Sequence, residues 1–341
     1  PYLGWHKPYS EAGTLLMRGD YHLQDKLIHF DNFSMASKDL KLGAKGLINL
    51  KEFDQSKFAI EAFKVNDTDI TVRYQSEQLD VSGKHLSLKE FGKSKIKPTH
   101  TPLEEQEAQR NFGFENGQLT MSLDKLTLPH QVIDNLLVRV KKRDDIISVG
   151  FVEGIFADSE KSFELKIEPK SDQMRDIILT SDDAGATLRA LGLYENMRGG
   201  SIRIVSSLNN KIGADDFSAK GEVLVRKFRI VKAPLLAKIL GNLSLSELFS
   251  SKEGIGFKEM FAPIMVEGQK LYVKRAKMRS SALGLNMKGN IDFATEELNL
   301  EGTVIPVVKV NSVVKNIPVV GYLLTGSQNA LIAADFSVSD K

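Results

Sequence analysis

Few residues in this chain have the type and spacing that chemistry requires. The histidines are His6, His22, His29, His85, His100 and His130, and none stands at metal-ligand spacing from another. His22 and His29 can meet only across adjacent strands. Asp182-Asp183 and Asp215-Asp216 are paired carboxylates, which elsewhere serve as acid and base or hold a cation. Both pairs also fall where a helix cap or a strand-entry turn is expected, and that reading is the simpler one. Arg18-Gly19-Asp20 reads as a turn. There is no GxxxxGK[ST] phosphate loop, no GxSxG elbow and no HExxH zinc helix. With 0 cysteines, a disulfide framework or a Cys-ligated metal is excluded. The expectation is a protein without catalytic residues, metal or cofactor.

Two basic runs invite a binding role instead. Arg226, Lys227, Arg229 and Lys232 surround Phe228 and Ile230; Lys274, Arg275, Lys277 and Arg279 surround Val273 and Met278. Cations beside apolar residues suit anionic lipid headgroups or nucleic-acid phosphates. They also suit the solvated outer face of a strand. Aromatic residues are too sparse here for base stacking, and the formal net charge is only +2, from 46 basic and 44 acidic residues. Nucleic acid is not an expected partner.

The elements that must carry these residues are mostly strands. Hydrophobic residues make up 42% and charged residues 26%, which suits a folded chain with a sizeable core. Leu283, Leu285 and Met287 alternate with Gly284, Asn286 and Lys288, and Ile291 and Phe293 keep the same parity. A polar turn follows, then Leu298, Leu300, Gly302 and Val304, so a hairpin with one apolar face is predicted. Leu40 to Leu50 repeats the pattern of Leu283 to Phe293 position by position, with Leu42 and Ile48 on the same face, and Phe217 to Val225 is a third copy containing Val223. The shared core is apolar-Lys-Gly, with Gly placed to bend or bulge a strand. Stacked β units burying a continuous face fit this, and a two-sheet sandwich would alternate similarly.

The polar stretch between Gly92 and Gly117 reads as a long loop or short helix. Helical signals enter at about Asp182. Ser181-Asp182-Asp183 can cap a helix carrying Leu188 and Leu191, and Ala233-Pro234 opens one with Leu235, Leu236, Ile239, Leu240 and Leu243 on a stripe. Ser244 to Glu247 reads as a capping box for a further short helix. Asn311 to Lys315, and Pro318 to Leu324 with Val319, Val320, Leu323 and Leu324, give two last short helical pieces. The expected fold is mainly β with short helices (α+β), divided into residues 1–180 and 181–341. Val304 to Leu324 is interrupted by Lys309, Lys315 and two prolines, so it predicts a segment lying on a membrane or against a sheet end, not a span. The first residue is Pro1 and no signal-peptide pattern follows it, which reads as a piece of a longer chain.

Further motifs carry a resemblance. They are Thr180 to Gly185, Leu191-Gly192-Leu193-Tyr194-Glu195-Asn196-Met197-Arg198-Gly199-Gly200, Ala233 to Leu240, Gly254-Ile255-Gly256-Phe257, Gly289-Asn290-Ile291-Asp292, Gly302-Thr303-Val304-Ile305-Pro306 and Ile317-Pro318-Val319-Val320-Gly321. In this order they resemble the C-terminal region of AsmA-like proteins, the group that includes the YhdP and TamB types. The residues before Asp182 share only the β-repeat style. Ala334 to Val338 departs from the aromatic-rich strand more often found there. The resemblance implies an elongated, curved antiparallel sheet with an apolar groove. It implies a periplasmic body attached to the inner membrane through a preceding N-terminal segment, in a Gram-negative cell envelope. The implied role is passage of glycerophospholipids between inner and outer membranes, supporting outer-membrane biogenesis without catalysis. Expected partners are phospholipids, both membranes and envelope proteins; the competing expectation is an envelope scaffold. Groove candidates are Leu40, Leu42, Ile48, Leu50, Val223, Val225, Leu283, Leu285, Met287, Ile291, Phe293, Leu298, Leu300 and Val304. Membrane-proximal helix candidates are Leu235, Leu236, Ile239, Leu240, Val319, Val320, Leu323 and Leu324.

Overall fold

The computed structural model describes residues 12–89, 116–143, 146–209, 218–231, 254–281, 283–295, 297–306 and 334–340. The chain divides into two compact units, Pro1–Pro169 and Lys170–Lys341. Both are mostly β, as the alternation predicts.

Unit one holds β1 (Thr14–His22), β2 (Leu27–Ala36), β3 (Leu40–Asn49), β4 (Lys57–Val65), β5 (Thr68–Gln75), β6 (Gln78–Ser87), β7 (Gly117–Thr127), β8 (Val132–Arg143), β9 (Ile146–Phe156) and β10 (Lys161–Pro169). Each strand pairs with the next in sequence, giving one ladder. Two-residue turns join β4 to β5 and β5 to β6. Ser76 and Glu77 both have positive φ, 53° and 60°, the backbone that suits the right-handed twist of a hairpin. One pairing departs from the antiparallel expectation: β6 and β7 run parallel, with Val81 beside Met121. A parallel pair needs a crossover of a dozen or more residues, and residues 90–115 occupy that interval. The loop or helix expected over Gly92 to Gly117 lies almost wholly outside the described residues.

Unit two holds β11 (Met174–Ser181), α1 (Ala184–Ala190), β12 (Met197–Arg198), β13 (Ser201–Asn209), β14 (Ser218–Ile230), β15 (Ile255–Glu267), β16 (Lys270–Ser280), β17 (Leu283–Asp292), β18 (Glu297–Pro306) and β19 (Ala334–Asp340). From β13 to β19 each strand pairs antiparallel with the next; β11 joins β13, and β12 joins β14. The predicted hairpin is present, with Leu285 opposite Val304 and Ile291 opposite Leu298.

Helix α1 starts where its cap predicts. Asp183 Oδ1 accepts a hydrogen bond from the Ala186 amide at 2.9 Å. The residues it buries are its small ones, not its leucines. Ala184, Gly185, Ala186 and Thr187 are buried, while Leu191 is 54% exposed. The cause is a close backbone seat: the Ala184 amide donates to Gly200 O at 2.6 Å, and a Cβ on Gly185 would stand 2.5 Å from Met197 O. Only small residues fit there. Among the described residues α1 is the one α-helix, so helices concentrated in the second half are not part of the fold these residues show. The other predicted helices, with Leu235, Leu236, Ile239, Leu240, Val319, Val320, Leu323 and Leu324, lie outside the described residues.

Two of the three repeated sequences occupy equivalent places; in the third, Gly221 lies opposite Ser206 with no bulge. Gly46 (φ +143°) sits opposite Phe30, and Gly289 (φ +157°) opposite Val273; a bulge follows directly after Phe30 and after Val273. A side chain at Gly46 would meet Lys57 O at 2.3 Å. The glycines thus let a neighbouring strand bend closely past. Both copies end the same way. Asn49 Oδ1 accepts from the Lys51 and Glu52 amides, and Asp292 Oδ1 from the Ala294 and Thr295 amides. These Asx turns stop the alternation, so Leu50 and Phe293 leave the strand and are 55% and 48% exposed. Neither lines the sheet face that the sequence assigned to it.

Candidate functional site

Strand register turns separate alternations into continuous rows, because residues directly opposite one another share a face. In unit one, Met17 faces Phe33, then Ala44, Ile60 and Val72 in turn. The row continues through Val81, Met121, Val138 and Val152 to Leu165. Ten strands contribute one apolar residue each, with no polar interruption. A second row lies two residues away: Gly19, Phe30, Gly46, Phe58 and Tyr74, then Leu79, Leu119, Val140, Gly150 and Ile167. At the usual strand spacing each row runs about 43 Å, and the two lie roughly 7 Å apart. The intervening residues face the other way and are mostly polar, such as Arg18, Lys45, Arg73, Asp80 and Thr120.

Burial varies across this face. In the first row only Val81 is buried, Met17 is 65% exposed, and the other eight are half-buried. One flank is sealed, by Leu40, Val65, Ile70, Leu123, Leu136, Ile133 and Phe156. The other is closed locally by the 3-10 turn Phe53–Gln55, where Phe53 stacks on Tyr74 at 5.2 Å and meets Phe58 at 6.2 Å. Between them runs a half-open apolar strip.

Unit two is built alike. Ile202, Val225, Met260, Met278, Leu285 and Val304 form a row across six strands. A row of Leu208, Ala219, Val266, Leu271, Ile291 and Leu298 crosses near the other strand ends. The first is sealed but for half-buried Met260: Ile202, Val225, Met278, Leu285 and Val304 are at most 4% exposed, and Phe228 stacks on Phe257 at 5.3 Å beside them. Lys227, with φ 54°, allows Val225 and Phe228 to share that side. Val266, Leu271, Ile291 and Leu298 are half-buried.

Of the candidates named from sequence, Leu42, Ile48, Val223, Met287, Ile291, Leu298 and Leu300 are half-buried on the apolar faces. Leu40, Val225, Leu283, Leu285 and Val304 are on these faces but within their sealed parts. The first row of unit one was not singled out at all. Its signal was the alternation within each strand, as in Leu119, Met121 and Leu123, but joining the strands needs the register.

Among the described residues, the polar faces bring together one His/Asp cluster. His22 and His29 do meet: Asp20 accepts from His22 Nε2 at 2.7 Å and from His29 Nδ1 at 3.1 Å. The hydrogen bond from His29, followed by that from His22, holds the Asp20 carboxyl below its ordinary value. Arg18-Gly19-Asp20 lies within β1, not in a turn, with a bulge between Arg18 and Gly19. Among the described residues no three His, Asp or Glu groups could hold a metal ion. Asp183 is consumed as a cap, and Asp215-Asp216 lies outside the described residues. A concavity of about 840 Å³ over β2 to β6 is lined by Phe30, Ile60 and Val72 of the apolar rows as well as by Lys45, Glu61 and Arg73, with Lys45 paired to Glu61.

Comparison with known proteins leaves the geometry to speak alone. No family model, no curated protein and no solved structure matches the chain.

Proposed function

We propose that this chain is a non-enzymatic lipid conduit of the AsmA-like kind, holding glycerophospholipid tails on its apolar sheet face between the inner and outer membranes of a periplasmic envelope. The observation that carries the reading is the ten-strand apolar row from Met17 to Leu165 with only one buried member. A fold with no further use for that face would cover it, since each CH2 left in water forgoes about 0.8 kcal/mol. An acyl chain of ordinary length laid along it gains on the order of 10 kcal/mol. A tail reaches across about half of a ~30 Å hydrocarbon core, so a strip of about 43 Å accommodates tails end to end. Leu, Val, Ile, Met and Phe offer no fixed polar partner, so they hold tails without choosing among them and let them slide.

The test is phospholipid co-purified with the chain, identified by mass spectrometry. The triple variant V72D/M121D/V138D should lose the lipid while keeping its β-sheet circular dichroism. Full lipid loading in that variant, or none in the wild-type chain, rules the conduit out. Leu285→Asp is not a fair probe, because Leu285 is 2% exposed and a charge there would attack the core.

The second reading, an envelope scaffold, is favoured by one feature. All residues of β1 are exposed, and among the described residues it pairs only with β2. Such an edge can accept a partner's strand. Absence of lipid together with capture of a partner strand at β1 would select it.

A further inference from the structure

On the polar side of unit two, the positive charge collects at one end of the strands. Three neighbouring cross-strand rows carry it. Arg198 lies opposite Arg229. Arg226 lies opposite Glu259, which lies opposite Arg279. Arg203 and Lys277 close the row that runs through Leu224 and Phe261. All six basic side chains are exposed. Glu259 is the one acid in these rows between β12 and β16, and it takes Arg279 at 3.1 Å and Arg226 at 3.4 Å. Arg203 and Lys277 have no ion-pair partner among the described residues.

Elsewhere in unit two basic side chains are paired. Lys270 pairs with Asp292 at 3.2 Å, Lys288 with Glu301, and Lys170 with Asp176 at 3.1 Å. The basic end also carries apolar residues, since half-buried Leu224 and Phe261 sit between Arg203 and Lys277. Cations around an apolar centre match the boundary between headgroup phosphates and acyl chains. On the far side of the sheet this is the sealed end, where Val225, Leu285 and Val304 close the apolar face.

We propose that this basic end is a seat for an anionic bilayer surface, with Arg203, Arg226, Lys277 and Arg279 holding headgroup phosphates. It deepens the conduit reading, on which it rests, by naming where unit two meets a membrane. The test is co-flotation of the 341-residue chain with vesicles of phosphatidylcholine alone or of phosphatidylcholine doped with phosphatidylglycerol. The doped vesicles should bind more tightly, and added salt should weaken them. R203Q/K277Q should lower that affinity about 25-fold, roughly fivefold per charge, with co-purified lipid unchanged. K270Q/K288Q, which removes cations already paired to Asp292 and Glu301, should leave it unaltered. Equal binding to both vesicle types overturns the seat, as does equal loss in both variants. So does tighter binding of single-stranded RNA than of doped vesicles, if R203Q/K277Q abolishes it. Vesicle binding by a chain that carries no lipid keeps the seat and removes the conduit.

Discussion

The first apolar row of unit one and the sealed row of unit two are made of the same residue types, yet they are used differently. Both run strand to strand through Val, Leu, Ile and Met. In unit two Val225, Leu285 and Val304 are closed off from water, while in unit one Ile60, Val72, Met121 and Val138 remain half-open. Residue type therefore does not distinguish a core from a binding surface. What distinguishes them is whether the apolar area has already been removed from water.

The sharpest way to break this contrast is truncation. Leu285→Ala should cost about 2–5 kcal/mol, since it leaves a cavity in packed surroundings. Leu165→Ala, at the half-open end of the first row, should cost roughly 1 kcal/mol, because its side chain has less burial to lose. Urea unfolding with hydrogen exchange read in β17 and β10 checks both. Similar costs at the two sites would mean that the faces are equally packed.

A smaller effect separates the bends from the flat parts of the ladder. Gly46→Ala puts a Cβ 2.3 Å from Lys57 O at φ +143° and should cost about 1–3 kcal/mol. Gly43→Ala, three residues earlier, meets nothing within 4 Å and should be near neutral. Thermal melts of the two variants decide whether the repeated Gly is structural.

The smallest effect is electrostatic. Arg279, then Arg226, hold the Glu259 carboxyl below its ordinary value of 4.5. A folded-state value below the unfolded one gives stability that is present above about pH 4.5 and lost as pH falls through the lowered value. Hydrogen exchange in β14 to β16 should therefore quicken only on acidification below that range. Glu259→Gln should remove this acid dependence without moving the corresponding behaviour of unit one.

Much of this was legible in residue order alone. Period-two alternation located the strands, and the parity of Leu283, Leu285 and Met287 assigned their face. Asp183 marked the start of α1 because a carboxylate before a run of small residues caps a helix. The failures have physical causes. Leu50 and Phe293 keep the parity of their strands, but Asn49 and Asp292 bond the following amides and turn the chain first. Which residues α1 buries is not legible either, because the helix packs through a close backbone contact at Gly185 that a larger residue would block. The ten-strand row was illegible because it depends on pairing, including the parallel pairing of β6 with β7, and no single strand's sequence encodes its partner.

The most direct measurement places a photo-crosslinking residue at Met121, on the apolar row, and separately at Ser122, its neighbour on the polar side. With phospholipid loaded, an open strip that holds tails gives lipid adducts at 121 and none at 122. Adducts at both positions alike, or at neither, would contradict it.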